Sequence, residues 1–506
     1  MRVKAVLSGV LASGVARAAT SSILFSGGTI IAFNKSSESL DVIRNGSVLV
    51  TDDRIAGVFS SAAAASFRLP AYTEHVDITD KIISTGFVDT HRHGWQTSLK
   101  TLGSNTSLVE YFGTFAFIAS TGLMAADDVY ISQLAGLYET LNGGTTTIID
   151  HAHHIWSNET AEAGLRASID SGARVFWSYG FLNSTNFQVQ DQLANFRDIA
   201  TRAPFKGTAT SLGIAYDGFG PNPNVGEAAE VMGLAKEFDV SVVTTHSLQG
   251  PWAYDNSPEN VHALGYLNTS IPVIFSHASF LTATGATLLR RTNQFVSITP
   301  ESEMHYGHTH PHSHLIQDQA ALGVDTHFTF SADILTQARL WLQATRRRMV
   351  APIIDEWQVA KNNPMSVNQA FLLATRHGGL ALRRDDIGVL AVGAKADLVV
   401  WDGTSPALLG WVDPVAAVLL HASVGDIEHV LVDGKFKKRN FRIAESTYPQ
   451  VQQRFLASAR RIQQAIIEQP FPVMTGTFFS GYELASAVTA DTLRGEGNGY
   501  GDVFRA

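Results

Sequence analysis

His91 and His93 stand two residues apart in the stretch GFVDTHRHGWQT, directly after the apolar run Gly86-Phe87-Val88. Along a strand, side chains i and i+2 leave the same face. Two imidazoles at a strand end therefore make a pincer for a first-row metal. A pair of polar loop histidines would show the same spacing, so other parts of the chain must supply the remaining ligands. Polar residues do recur at the ends of short apolar segments. Asp89 precedes the pair, and Asp150, His151 and His153 end TTTIIDHAHH. Asp217 ends TSLGIAYD, His246 ends VVTTHS, His277 ends VIFSHAS, and Asp333 ends HFTFSADI. Taken singly, a strand-end histidine is a loop or hydrogen-bonding residue. Taken together, these describe a nitrogen and oxygen donor set suited to Zn²⁺, with Fe²⁺ or Mn²⁺ as alternatives. The 506 residues include no cysteine, which excludes thiolate ligands, thiolate nucleophiles and disulfides. No lysine ends the fourth strand to bridge two ions, so one divalent metal ion is expected.

The segments that carry these residues alternate between short apolar strands and helical stretches from about Gly86 to Gly379, as in TTTIIDHAHH, AEAGLRASIDSG and ARVFWSYG. Such alternation argues a parallel sheet. Eight units of it close a (β/α)8 barrel, in which polar residues at the C-terminal strand ends face one mouth. On this reading TTTIIDHAHH is the third strand, SITPESEM ends the seventh and HFTFSADI is the last. SILFSGGTIIAF, GSVLVTDDRIAGVF and EHVDITDKIIST before the barrel read as β-structure, as do IGVLAVGAKADLVVWDG and DIEHVLVDGKFKKR after it. The expected fold class is α/β, a TIM barrel with a small composite β-sandwich built from both chain ends. The expected boundaries are a leader at 1–19, β-sandwich at 20–82, barrel at 83–385, β-sandwich at 386–445, and a C-terminal helix and tail at 446–506.

Composition narrows the partners. With 45% hydrophobic residues, a formal charge of −9 and no long basic run, nucleic acid is not expected as a partner. No stretch approaches the roughly 20 apolar residues that span a bilayer. The start, MRVKAVLSGVLASGVARAAT, has a short basic end, an apolar run and Ala16-Arg17-Ala18, the pattern of a secretory leader. Asn34, Asn45, Asn105, Asn158, Asn183 and Asn268 each open an N-x-S/T triplet, permissive for glycosylation. A secreted glycoprotein is the expectation, with a cytoplasmic location if the leader is not cleaved. A homo-oligomer is left open.

GFVDTHRHGWQT, together with THSLQG, FSHAS, FSADI and the late GVLAVGAKADLVVWD, resembles the amidohydrolase superfamily. Its nearest branch holds the cytosine, guanine and S-adenosylhomocysteine deaminases and the triazine hydrolases. The resemblance runs from Ser22 to Lys437. It implies one catalytic metal, with His91, His93, His246 and Asp333 as ligands and His277 as the histidine that polarises the substrate. Asp333 would also accept a proton from the attacking water, and Asp89 or Asp150 would hold the imidazole tautomers. One position departs from the branch. Its deaminases carry a glutamate three residues after the strand-five histidine, where this chain has Gln249, an amide without acid–base chemistry near neutral pH. Either Asp333 and His277 manage the proton alone, or another carboxylate stands in; of Glu301 and Glu303 at the end of the seventh strand, Glu303 is the one expected to do so. Trp95, Gln96, Gln249 and His305 are expected to bind substrate. The run that holds His305, His308, His310, His312 and His314 reads as a solvated loop, a second metal site or a cap. Thr375 and His377 read as structural.

Phe112, Phe115, Phe117, Trp156, Trp177, Tyr179 and Phe181 suit a flat, moderately apolar small molecule. The expected function is a metal-dependent hydrolase that attacks a carbon–nitrogen bond other than a peptide bond: an amide, a cyclic amide, or an amidine in deamination. Two alternatives stay open. One keeps the metal but performs a lyase, decarboxylation or rearrangement step. The other is a non-catalytic binding protein on a decayed hydrolase fold, against which the intact ligand set weighs.

Overall fold

Eight parallel strands carry the expected strand-end residues. They are β6 (Phe87–Arg92), β7 (Thr145–Ala152), β8 (Arg174–Phe181), β9 (Ser211–Tyr216), β10 (Val243–Ser247), β11 (Val273–His277), β12 (Phe295–Ile298) and β13 (Ala320–Leu322), hydrogen-bonded in that order. The computed structural model describes residues 21–60, 68–116, 122–184, 186–252, 254–308, 312–478, 481–487, 490 and 492. The expected leader, Phe117 and His310 lie outside them. Most residues of these strands are buried, β8 along its whole length, as parallel strands covered on both faces must be. Helices such as Ala126–Asn142, Asn158–Ser171 and Val225–Glu237 alternate with the strands. The barrel closes where the amides of Val324 and Asp325 donate to the carbonyl oxygen of His91 at 3.0 and 2.8 Å, with Arg92 bridged to Asp325 in parallel. Gly323 permits this approach, since a Cβ there would stand 2.8 Å from the backbone nitrogen of His91.

Two expectations about the strands change. TTTIIDHAHH forms the second barrel strand rather than the third. The eighth strand is Ala320–Leu322, not HFTFSADI, whose residues turn away into the helix Ile334–Asp355. Asp333 caps that helix, accepting from the amide of Thr336 at 2.7 Å. A carboxylate at this position satisfies an otherwise orphaned helical N–H.

The chain ends meet in one nine-stranded sheet built from β1 (Ser22–Asn34), β2 (Ser39–Thr51), β3 (Arg54–Ser60), β4 (Glu74–Asp77), β5 (Ile82–Thr85), β14 (Leu398–Trp401), β15 (Ile427–Val432), β16 (Lys435–Arg439) and β17 (Arg442–Ile443). β5 joins the halves by pairing parallel with β1 and antiparallel with β14. This sheet buries a separate core around Phe25, Ile30, Val48, Ile83 and Leu398. The helix Tyr448–Ile467 lays Ile462 and Ile466 into the cluster under Trp95 and Leu99. Among the described residues, no helix is long and apolar enough to cross a membrane.

Candidate metal centre and active site

β6 delivers His91 and His93, β10 delivers His246, and the turn after β13 delivers Asp325. Their donor atoms converge. Asp325 Oδ1 lies 3.1 Å from His93 Nε2 and 3.3 Å from His91 Nε2. His93 Nε2 lies 3.3 Å from His246 Nε2. The tautomers follow from the outer partners. His93 donates through Nδ1 to the carbonyl oxygen of His151 at 2.9 Å. His246 donates through Nδ1 to Asp217 Oδ2 at 2.8 Å. In the neutral rings, both Nε2 atoms then carry lone pairs and face each other. His91 Nε2 is buried without a hydrogen-bond partner among the described residues, while its Nδ1 meets Ser276 Oγ at 2.7 Å. Facing lone pairs and a carboxylate oxygen call for a cation. Donors about 2.0–2.1 Å from a tetrahedral Zn²⁺ stand roughly 3.4 Å apart, close to the spacing seen here. The residues fit a single divalent ion.

Electrostatics agrees with that reading. Burial opposes the charge of the Asp325 carboxyl, but the imidazoles of His91 and His93 beside it prevail and hold the group well below the usual carboxylate range. Burial pushes His91 well below the ordinary imidazole value, so its ring is neutral and able to ligate. Burial opposes the charge of Asp217, but His246 prevails and lowers its pKa.

His277 ends β11 with φ +73°, a left-handed conformation rare for a bulky residue. Its Nδ1 bonds Thr299 Oγ1 at 2.9 Å and Glu303 Oε1 at 3.2 Å. Its Nε2 stands 4.0 Å from Asp325 Oδ2. The cavity in front of these groups is walled by Leu108, Tyr111, Phe112, Phe181, Leu182 and Tyr254, among others.

Comparison with known proteins now adds to the geometry. The profile described as Amidohydrolase family matches residues 82–437. The chain belongs to the amidohydrolase family. It is 24% identical over 371 residues to a 5-methylthioadenosine/S-adenosylhomocysteine deaminase of Thermococcus sibiricus, spanning 71% of this chain and 83% of that one. Its fold matches that of a zinc-bound adenosine deaminase from Xanthomonas campestris, with TM-score 0.74 and 18% identity over 88% of this chain and 99% of the other. It also matches atrazine chlorohydrolase from Arthrobacter aurescens in complex with zinc, with TM-score 0.73 and 17% identity over 86% and 100% of the two chains.

In this amidohydrolase several residues stand elsewhere than expected. Asp325, not Asp333, is the carboxylate of the cluster. Asp89 and Asp150 touch no ligand imidazole. They accept from backbone amides of His91, Val324 and Gly94, and burial pushes Asp89 up to about 7. The partners that orient the rings are the His151 carbonyl, Asp217, Ser276 and Glu303. Trp95 is fully buried and donates through Nε1 to His153 Nδ1 at 3.0 Å. Gln96, also buried, donates to Tyr111 Oη at 3.0 Å. Gln249 donates to Asp255 Oδ1 at 3.2 Å within its own loop, and His305 Nε2 bonds the carbonyl oxygen of Thr106 at 3.0 Å. None of these four lines the cavity; the first two support residues that do. His308 does line it, its ring 4.8 Å from that of His277. Glu303 sits behind His277 as a positioning residue, without touching the cavity. Phe112 and Phe181 are wall residues, whereas Phe115, Trp177 and Tyr179 belong to the packed cores. Sequence reasoning missed Asp325 and Tyr254. For Asp325 a signal existed in AALGVD, a short apolar strand followed by glycine and a carboxylate.

Proposed function

We propose that this amidohydrolase holds one zinc ion and hydrolyses a carbon–nitrogen bond of a small cyclic or aromatic molecule, with deamination the reaction nearest its relatives. The convergence of His91, His93, His246 and Asp325 carries the reading. When bound, the ion supplies Lewis-acid activation of water at neutral pH. The chain's own groups handle the protons. Asp325 Oδ2 accepts a proton from the attacking water and passes it to the leaving nitrogen. His277, its Nδ1 proton committed to Thr299 and Glu303, presents Nε2 to the substrate atom that gains charge, and Glu303 balances the imidazolium when Nε2 is protonated. Gln249 takes no part: it does not line the cavity, and its amide nitrogen donates to Asp255. The low-charge aromatic wall keeps bulk water from the reacting atoms.

Elemental analysis of the purified chain beside His246→Ala, followed by assays of ammonia release and solvent ¹⁸O uptake, tests this. The expected result is about one zinc per chain, lost in the variant, and solvent oxygen in the product. A folded chain that takes up no metal, or a product without solvent oxygen, overturns it, the second in favour of a lyase. For location, the basic and apolar start and the exposure of Asn45, Asn105, Asn158, Asn183 and Asn268 support a secreted glycoprotein. Amino-terminal sequencing of the natural product and an endoglycosidase mobility shift test that reading.

A further inference from the structure

His153 follows β7 and lines the cavity, its ring centroid 4.0 Å from that of His93. The state of this imidazole can be derived. An indole N–H only donates, so the 3.0 Å bond from Trp95 Nε1 requires a lone pair on His153 Nδ1. The proton of the neutral ring must then sit on Nε2. Trp95 holds its place firmly: it is fully buried, Trp156 packs on it edge-on at 5.2 Å, and Ser132 Oγ donates to its carbonyl oxygen at 2.5 Å. Among the described residues no acceptor takes the Nε2 proton of His153, and the ring is only partly covered. Unlike His93 and His246, this ring offers the cavity a donor rather than a lone pair.

The charge around it is as informative. The described lining residues include Asp217 and Asp325 but no lysine or arginine. The chain has no lysine or arginine between Lys100 and Arg166, the stretch that supplies Leu108, Tyr111, Phe112, His151 and His153. Phe112 and Tyr254 stack at 5.5 Å and 13°, leaving a flat, neutral wall. Asp217 and Asp325 already offset the charge of a bound divalent ion, so an anionic substituent on the rest of the ring would meet no cationic side chain on this wall, which is costly in a desolvated site.

Resting on the hydrolase reading above, we propose that His153 is a substrate-binding donor. Its Nε2–H bonds a ring nitrogen or ring carbonyl of a neutral, planar heteroaromatic substrate, and the site rejects rings that carry a carboxylate or phosphate. Trp95 acts through His153 as a positioning residue.

The test is calorimetric titration of the zinc-supplied protein, with zinc content measured on every sample. Matched probes are 5′-deoxyadenosine against adenosine 5′-monophosphate, and melamine against its N-carboxymethyl derivative. A neutral ring is expected to bind at least tenfold more tightly than its anionic counterpart. His153→Phe should weaken that binding at least tenfold with zinc unchanged, and His153→Gln, which keeps a donor, should restore part of it. Trp95→Phe, which leaves the ring but frees its tautomer, should weaken binding by threefold or more and carries the test if His153→Phe does not fold. Equal or tighter binding of the anionic probes, no binding of either neutral ring, or unchanged binding in a zinc-loaded His153 variant overturns the proposal and leaves the hydrolase reading standing. A wild-type chain that takes up no zinc overturns both.

Discussion

The barrel mouth and the composite sheet solve opposite problems with the same residue types. In the sheet and where it meets the barrel, charge is matched within the chain. Arg174, at the start of β8, bonds Asp397 through Nε at 2.7 Å and through Nη2 at 3.0 Å, and Nη2 also reaches Asp433 at 2.5 Å. Lys395 meets Asp433 and Asp53 at 3.1 and 2.6 Å. Positive φ there falls mostly on side chains that tolerate it, Asn45 within β2 and the turn residues Asp52 and Asp433, with Phe441 as an exception. At the mouth, imidazole lone pairs face one another, and positive φ falls on His277, Ala278 and Tyr254. Such arrangements cost stability and persist only where the surroundings enforce them. The sheet is satisfied by its own atoms, whereas the mouth is satisfied only with a guest. That contrast separates what holds this protein together from what makes it work.

The contrast breaks most readily at Asp325 and Arg174. Asp325→Asn should abolish stoichiometric zinc and lower turnover on the order of a thousandfold, since several kcal/mol of charge stabilisation are at stake. Elemental analysis and steady-state rates check this. Arg174→Ala is the reverse case. It strands the buried Asp397, while Asp433 keeps Lys395, and should cost about 3–5 kcal/mol of stability, with zinc per folded chain unchanged; denaturant unfolding beside metal analysis reads both. Glu303→Gln sharpens the mouth itself: zinc stays, while kcat falls roughly 10–100-fold as His277 loses its carboxylate partner. Asp333→Asn should keep full zinc and lose no more than about 1 kcal/mol through a weaker helix cap. Zinc loss there would move the ligand back to the position first expected.

The smallest effect concerns acid. Burial pushes Asp386 up, but Arg384 and Arg54 outweigh it and bring its pKa down to about 2. Because the folded value lies below the unfolded one, near 3.9, its contribution is complete above about pH 4 and is lost as pH falls towards 2. The group keeps 21% of its side chain in solvent and its arginine partners are more exposed still, so screening holds the contribution to about 1 kcal/mol. Asp386→Asn should flatten the acid limb of the stability curve in that window, without change at the metal centre.

Strand alternation and the order of polar strand ends made the barrel and the composite second domain legible from sequence, and the family resemblance picked three of the four converging residues from among those strand ends. His91 and His246 sit on strands whose apolar runs point directly at them, and His93 stands one residue past β6, so local period-two geometry places them on the inner face. The carboxylate was not local in that sense. Asp325 and Asp333 both follow short runs of small and apolar residues, and HFTFSADI reads as the better strand. Only the pairing of Val324 and Asp325 with the carbonyl of His91, across more than two hundred residues of chain, decides which one reaches the mouth. Trp95 shows the same limit. Its position beside the ligand pair was plain, but whether its indole faces substrate or a neighbouring histidine depends on how β6 and β7 pack. Sequence by itself determined the donor types, the absence of thiolate chemistry and the strands that bear the histidines, because those follow from residue identity and alternation. Tertiary structure alone decided the fourth converging residue, the tautomers and the polarity of the wall, because hydrogen bonds between distant segments set the direction of each lone pair and proton.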